Sequence, residues 1–443
     1  MIKKPTSDHY RSAERIVRRL QDAGHEALLA GGCVRDLLLG AEPKDYDVAT
    51  SADAAQVEAL FPQTKPVGAE FGVVLVMLNG HSFEVTSFRT EQGYTDGRHP
   101  DAVASAGVLD DAHRRDFTIN GMYWDPVSDK LLDVVGGQLD LQARILRAIG
   151  DPEQRLREDH LRIVRAVRFA ARLALSIEPE TRRALEALAD LVQRITPERL
   201  QQELRIILTD RDPALALRMM DDLGMLTRIF PELADAKGCE QPENYHPEGD
   251  VFVHTILTVE KLGPHPDFVL AMAALLHDVG KPEASRLTMP EHFPEHERIG
   301  CDTALDICRR LRMPRDETER ICWLVSRHMY FRDAHKMKDS TMKRLFAERD
   351  FDLCAELHRA DALASWGNLE AYDYVLERKR SMPPETIDPR PLINGRDLIA
   401  MGYEPGPAFR RILDAVREMQ LQGELTGRDD ALAAARRLAD EGQ

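Results

Sequence analysis

Apolar and polar positions change rhythm along the chain, and each rhythm predicts a different element. Residues 1–20 repeat their apolar positions at helical spacing and predict an amphipathic helix. From about residue 25 to 135, short apolar runs alternate with turn residues, at 26–30, 71–78 (FGVVLVML) and 82–88 (SFEVTSF). Such runs suit a small, half-covered sheet. Beyond Asp151 helical periodicity takes over, punctuated by Pro179, Pro197, Pro213 and Pro231. A polar stretch at 238–249 reads as a linker. A histidine-rich helical block follows from about 250 to 365, and Pro383, Pro384, Pro389 and Pro391 lead into a helical tail. The expected fold class is α+β: a mixed-sheet head at 1–150, then an all-helical neck (151–235), body (236–365) and tail (366–443).

Composition narrows the setting. A chain of 443 residues carries a prior of about three domains. Its 43% hydrophobic and 30% charged residues describe an ordinary soluble protein. No apolar run approaches membrane-spanning length, and the N-terminal residues lack the apolar core of a signal peptide. Cys33, Cys239, Cys301, Cys308, Cys322 and Cys354 form no Cys-x-x-Cys pair, so neither a disulfide framework nor a zinc knuckle is indicated. A reducing cytoplasm is the expected location. The net charge of −16 argues against a generic basic nucleic-acid binder, so an RNA partner must be held by locally basic surface.

Three segments carry chemistry. The first is Leu29-Ala30-Gly31-Gly32-Cys33-Val34-Arg35-Asp36, followed by Asp45-Tyr46-Asp47. In an extended strand, side chains two apart share a side. Asp45 and Asp47 then present two carboxylates to one spot, which suits Mg²⁺ bridging them to a triphosphate. The Gly31-Gly32 turn lets backbone approach phosphate, and Arg35 adds a forked positive charge. The plainer reading is a glycine turn beside solvated acids.

The second segment runs from Arg157 to Arg168. Read as one helix, it winds Asp159, Arg162, Arg165 and Arg168 around one side and gathers Ile163, Val164, Val167, Ala170 and Ala171 on the other. Salt bridges along an amphipathic helix would explain this pattern. The sharper reading pairs Asp159 with Arg162 as a base reader. Cytosine and adenine both offer a donor beside an acceptor on their pairing edges, whereas uracil and guanine reverse the order. One acid–arginine pair can therefore admit CTP and ATP without a template.

Together these motifs resemble the class II tRNA nucleotidyltransferase/poly(A) polymerase family, the bacterial CCA-adding group. Asp96-Gly97-Arg98-His99-Pro100 resembles the family's mobile-loop motif, and Arg114-Arg115-Asp116-Phe117-Thr118-Ile119-Asn120 its ribose-contacting motif. The tail segment from Ile393 to Leu398 is similar to its C-terminal region. The resemblance implies a nucleotidyltransferase-type head and tRNA lying along the helical body. It implies that Gly32 and Arg35 contact triphosphate, that Asp45 and Asp47 hold Mg²⁺, and that Glu84 is a third active-site carboxylate. Arg115 and Asp116 would contact sugar and phosphate, Asp159 and Arg162 the base, and Arg165 and Arg168 the triphosphate side. A poly(A) polymerase or an A-only adding enzyme shares these motifs.

The third segment lies in the body. His254, His277-Asp278 and Asp361, with Gly280-Lys281 closing HDVGK, are similar to the HD phosphohydrolase signature. Two polar residues at the end of an apolar helix need partners, and imidazoles converging with carboxylates suit a transition metal. His296 and His328 would complete a second metal position. The alternatives are an HD fold kept as scaffold, or an HD phosphohydrolase whose head senses nucleotides. The latter fits the intact Asp45/Asp47 pair less well.

Overall fold

A computed structural model describes residues 2–66, 72–94, 96–98, 100–242, 249–287 and 293–440. Phe71, His99 and residues 243–248, used in the sequence reading, lie outside the described residues. The chain divides into two compact units, residues 1–231 and 232–443.

The first unit opens with the helix Asp8–Asp22, capped by Ser7, which buries Tyr10, Ile16, Val17 and Leu20. The strands that follow are β1 (Ala27–Ala30), β2 (Val48–Thr50), β3 (Thr64–Pro66), β4 (Val73–Leu78), β5 (His81–Ser87), β6 (Arg89–Gln92), β7 (Ala102–Ser105), β8 (Met122–Asp125) and β9 (Lys130–Asp133). Seven of them form one mixed sheet, in the order β3-β4-β5-β2-β1-β8-β9, while β6 and β7 pair separately. Within that sheet β2 and β5 run parallel, with Val48 opposite Val85, and its other neighbours are antiparallel. The period-two pattern places one face inward: Phe83 and Val85 are buried while Glu84 between them is exposed.

Most of the prolines in the helical stretch start helices, while Pro231 stands just ahead of the helix Glu232–Ala236. Pro152, Pro179, Pro197 and Pro213 each occupy the first turn, where a missing N–H leaves no bond unmade. The stretch read as a single helix is two, Pro152–Glu158 and Leu161–Leu173. Asp159 sits in the break with extended backbone (φ −139°, ψ 106°). Its carboxylate accepts from the Leu161 N–H at 3.1 Å, a local turn that competes with helix continuation. Arg162, Arg165 and Arg168 lie on the helix that follows, and Asp159 at the joint lines the same cleft.

The second unit is helical throughout its described residues. The helix Phe268–Leu276 is buried on every side and delivers His277 and Asp278 at its C-terminal end. The tail builds its own small core around Leu398, Ile412, Val416, Ala431 and Ala435. There, Asn394 and Asp397 form a capping box for the helix Gly395–Ala400, which gives the Asn-Gly-Arg-Asp motif a structural role.

Candidate active site and metal cluster

The catalytic candidates of the head line up where β2 begins. Asp45 and Asp47 lie just ahead of the strand rather than within it, but the alternation already holds. Tyr46 is buried on one side, and both acids are exposed on the other. The Ala30 N–H bonds to the Asp47 carbonyl at 3.0 Å, fixing the segment against β1. The parallel register of β2 and β5 sets Glu84 next to Asp47. Partial withdrawal from water raises the Asp47 pKa to about 6, with Glu84 and then Asp45 adding to the rise and Arg115 opposing it. Three carboxylates that feel one another's charge are a donor type suited to a divalent cation, although their oxygens are not gathered as closely as the ligands of the second unit.

Beside these acids opens a cleft of about 420 Å³ lined by glycine backbone and arginines. Gly31 has φ +74°, which favours glycine, and a Cβ there would lie 2.7 Å from Arg115 Nη1 and push that guanidinium aside. Gly32 begins the helix Gly32–Leu38 at the cleft wall. Arg35 is nearly buried: Nη1 donates to Asn120 Oδ1 at 2.7 Å, and Nε to Asp36 at 2.8 Å. Much of its fork is thus engaged within the protein.

Arg115 donates to Tyr123 Oη (2.9 Å) and to Asp111 (3.2 Å). Asp111, which also holds Arg114 at 2.8 Å, is a buried anchor that sequence reasoning missed. Asp116 accepts from Arg165 at 2.6 and 2.9 Å and from Asn120 Nδ2 at 3.1 Å. Burial opposes its ionisation, but the Arg165 guanidinium holds it well below the usual carboxylate range. Arg168 pairs with Glu203 at 2.8 Å, and burial brings its pKa down to about 10 against that pairing. Phe169 packs under the guanidinium groups of Arg168, Arg165 and Arg35, at 4.4, 5.2 and 5.3 Å.

Asp159 and Arg162 line the same cleft, each already oriented. Arg162 donates to Glu158 (2.7 Å) and to the carbonyls of Arg155 (2.9 Å) and Arg114 (3.0 Å). Arg199 grips Asp159 in a two-pronged bond of 3.0 and 2.8 Å. Arg199 and Glu203 were also missed. The available signal was Glu203, an acid on the Leu200, Leu204, Ile207 stripe of the helix Pro197–Leu208. Across the helix break, Gly97 of the loop motif abuts His160, whose N–H bonds to the Gly97 carbonyl at 3.1 Å.

In the second unit His254, His277, Asp278 and Asp361 come together, with His296 and His328 beside them. His254 Nε2 lies 3.0 Å from Asp361 Oδ1 and 3.2 Å from His277 Nε2. His296 and His328 present Nε2 atoms 3.2 Å apart. The Nδ1 atoms of His277, His296 and His328 lie 2.7–2.8 Å from the carbonyls of Ala274, Phe293 and Val325. A carbonyl only accepts, so each Nδ1 carries a proton and each ring turns its Nε2 inward. Two Nε2 atoms at 3.2 Å need a proton or a metal ion between them.

Asp278 sits between the two imidazole pairs. Its Oδ2 faces His277 (3.1 Å), His254 (3.6 Å) and Lys281 (2.7 Å), and its Oδ1 faces His296 and His328 (both 3.6 Å). Neither buried oxygen accepts a well-formed hydrogen bond. Burial opposes ionisation, but His277 and Lys281 keep the carboxyl well below its ordinary pKa. This donor set fits two transition-metal positions, His254/His277/Asp278 and Asp278/His296/His328, bridged by one carboxylate. Gly280 secures the geometry, since a Cβ there would lie 2.2 Å from the His296 carbonyl oxygen and 2.5 Å from the Gly300 nitrogen. Gly280→Ala is expected to destabilise the protein by about 1–3 kcal/mol through overpacking and to lower metal content. Thermal unfolding with elemental analysis checks this, and an unchanged melting temperature would refute it.

A mixed sheet with three acids at one strand end, a glycine turn and an arginine-lined cleft defines a nucleotidyltransferase head, here followed by helices bearing an HD-type cluster. Family models agree: the poly A polymerase head domain matches residues 27–147, the probable RNA- and SrmB-binding site of polymerase A matches 174–237, and the HD domain matches 252–366. The chain is 35% identical over 411 residues to a multifunctional CCA protein of Xanthomonas campestris pv. campestris, covering 88% of this chain and 96% of that one. It is 32% identical to an A-adding tRNA nucleotidyltransferase of Deinococcus radiodurans, over 94% of this chain and 96% of the other. The crystal structure of the Bacillus stearothermophilus CCA-adding enzyme in complex with CTP matches with a TM-score of 0.72 at 25% identity, covering 99% of this chain and 100% of that one. The chain belongs to the tRNA nucleotidyltransferase/poly(A) polymerase family, and both of its signature domains imply dependence on divalent metal. No described helix is long and apolar enough to cross a membrane.

Proposed function

We propose that this protein adds C and A residues to the 3′ end of tRNA, taking CTP and ATP without a template. The observation that carries the reading is the placement of Asp159 and Arg162 in the same cleft as Asp47 and the triphosphate-side arginines. In the reaction the RNA 3′-hydroxyl attacks the α-phosphorus in line and pyrophosphate leaves. Asp45 and Asp47 would hold a divalent cation such as Mg²⁺, with Glu84 as the third carboxylate, and a cation there would supply charge stabilisation to the attacking hydroxyl and the leaving pyrophosphate. Arg115, fixed by Asp111 and Tyr123, and Gly32 backbone face the triphosphate, while Arg165 and Arg168 set the field on its far side. The direct test offers tRNA lacking its 3′ end with each nucleotide alone and together, then sequences the products. The similarity to an A-adding enzyme favours a second reading in which A alone is added. Products ending in A without C would establish it.

Arg199 gives the base reader its shape. Asp159 Oδ1 already accepts from Arg199 (3.0 Å) and Leu161 (3.1 Å), whereas Oδ2 accepts from Arg199 alone (2.8 Å). One lone pair on Oδ2 is left for one exocyclic amine. Arg199→Met frees that carboxylate to rotate and should reduce discrimination against UTP and GTP about tenfold, as expected for one misplaced hydrogen bond to a charged group. The check is kcat/KM for all four nucleotides. Unchanged preferences would make the Arg199–Asp159 pair a structural one.

The HD cluster supports a second activity, hydrolysis of phosphate esters such as 2′,3′-cyclic phosphate or phosphomonoester ends. This would clear a blocked RNA end ahead of extension. The cations would supply Lewis acidity toward a phosphoryl oxygen and water, and His254, His277, Asp278 and Asp361, with His296 and His328, would hold them. Imidazole-rich ligands favour Ni²⁺, Co²⁺ or Mn²⁺ over Mg²⁺.

A further inference from the structure

Next to the histidine cluster lies a pair of buried side chains that neither metal position accounts for. Gln241 is 8% exposed and Lys281 is 6% exposed. Gln241 Oε1 lies 2.6 Å from Lys281 Nζ. An ammonium only donates, so the amide orientation is settled: its oxygen faces the lysine and its NH₂ faces away. That Nε2 is buried and has no acceptor among the described residues. A buried amide donor left unmade is destabilising, and such groups in native sites are accounted for by an ordered water, an ion, a ligand or a catalytic role.

The surroundings narrow the ligand. Lys281 Nζ is 2.7 Å from Asp278 Oδ2, and the Phe293 ring lies 5.5 Å from the ammonium. Phe293 also accepts the Nδ1 proton of His296 through its carbonyl at 2.7 Å, so one residue flanks the lysine and orients a metal-binding histidine. Without metal, Lys281 balances Asp278. Two cations on the Asp278 bridge would take over that balance and leave the ammonium in positive excess beside an unpaired N–H donor. A ligand for this corner must bring negative charge and several acceptor oxygens to within one amide's width of Lys281.

We propose that Gln241 Nε2 and Lys281 Nζ form a phosphoryl-binding corner of the HD site, holding the non-bridging oxygens of a phosphate group against the metal pair. The inference rests on the phosphohydrolase reading and names the group that site grips. Gln241 is a positioning residue: it directs the lysine through Oε1 and the phosphoryl oxygen through Nε2.

The test uses the full-length protein loaded with Mn²⁺, with inorganic phosphate as the probe, followed by calorimetry. Wild type should bind phosphate. Gln241→Leu should weaken binding about tenfold, the worth of one hydrogen bond to a charged oxygen. Gln241→Glu is the stricter variant, because it matches the shape, keeps an oxygen for Lys281 and replaces the donor with a carboxylate. It should weaken phosphate binding more than Gln241→Leu does. Elemental analysis should find the same metal content in all three proteins, and a melting curve confirms that each is folded. Phosphate affinities of both variants within twofold of wild type, or no phosphate binding by the Mn²⁺-loaded wild type, would overturn the proposal. Phosphate binding with this dependence on Gln241 supports the corner even where no ester is cleaved, and in that case the hydrolase reading alone falls.

Discussion

Replacing Asp47 with asparagine should lower nucleotide incorporation about a thousandfold or more while leaving the fold intact. The carboxylate shares its end of the sheet with Asp45 and Glu84, and partial withdrawal from water, with repulsion from Glu84 and then Asp45, lifts its pKa to about 6. Such a cluster gains its function from a cation, and a cation's charge stabilisation in phosphoryl transfer is worth several kcal/mol. At about 1.4 kcal/mol per factor of ten, losing roughly 4 kcal/mol of it gives the thousandfold. What fixes the segment in place is different: the buried Tyr46 ring and the Ala30 N–H bond to the Asp47 carbonyl, both untouched by the change. Removing one of three like charges should therefore leave the melting temperature in chelator unchanged or slightly raised. Asp45→Ala should lose activity comparably. Labelled CTP and ATP offered with tRNA lacking its 3′ end provide the measurement, and incorporation within tenfold of wild type by either variant would sink the assignment.

The parts of this protein legible in its sequence are those whose chemistry lies close along the chain. Asp45 and Asp47 are two residues apart, and the strand period alone set them on one side. His277 and Asp278 stood out because they end a run of nine buried apolar residues. The passage from strand-forming to helical pattern near Asp151 was legible in its period, but the short strand Ser176–Ile177, which pairs with Ile145–Leu146 beyond that point, was not. What stayed hidden depends on contacts between distant positions. Arg199 meets Asp159 across 40 residues, Asn120 meets Arg35 across 85, and Lys281 meets Gln241 across 40. The helix containing Arg162 was misjudged at its start for a local reason. Asp159 bonds to the backbone two residues on, and propensity alone does not distinguish an acid inside a helix from one that ends it. The two readings have different consequences. A continuous helix would set Asp159 on the arginine face, whereas the break lets it swing to Arg199 and present a single free lone pair to the base.

His277→Ala should remove the first metal position of the helical block and any phosphate-ester hydrolysis that needs both, and should spare nucleotide addition. His277 would contribute Nε2 to the first metal position, where the His254 nitrogen and an Asp278 oxygen lie within 3.2 Å of it. None of these residues belongs to the unit that carries Asp45 and Asp47. Asp278→Ala should have the larger effect, since it removes the bridge shared by both positions. It also leaves Lys281 buried without its carboxylate, which should destabilise the protein by about 3–5 kcal/mol. The double variant Asp278→Ala/Lys281→Met should recover most of that stability and none of the metal binding, which separates charge burial from ligand loss. Elemental analysis and hydrolysis of bis-p-nitrophenyl phosphate with Ni²⁺, Mn²⁺ and Co²⁺ read out the metal site, and labelled-nucleotide incorporation reads out the head. Wild-type protein that binds none of these metals and cleaves no ester would leave the HD block as scaffold. The inward-facing imidazole nitrogens and Asp278 Oδ1, which has only imidazoles at 3.6 Å beside it, would then lack a close partner, and that is why metal binding is the outcome expected.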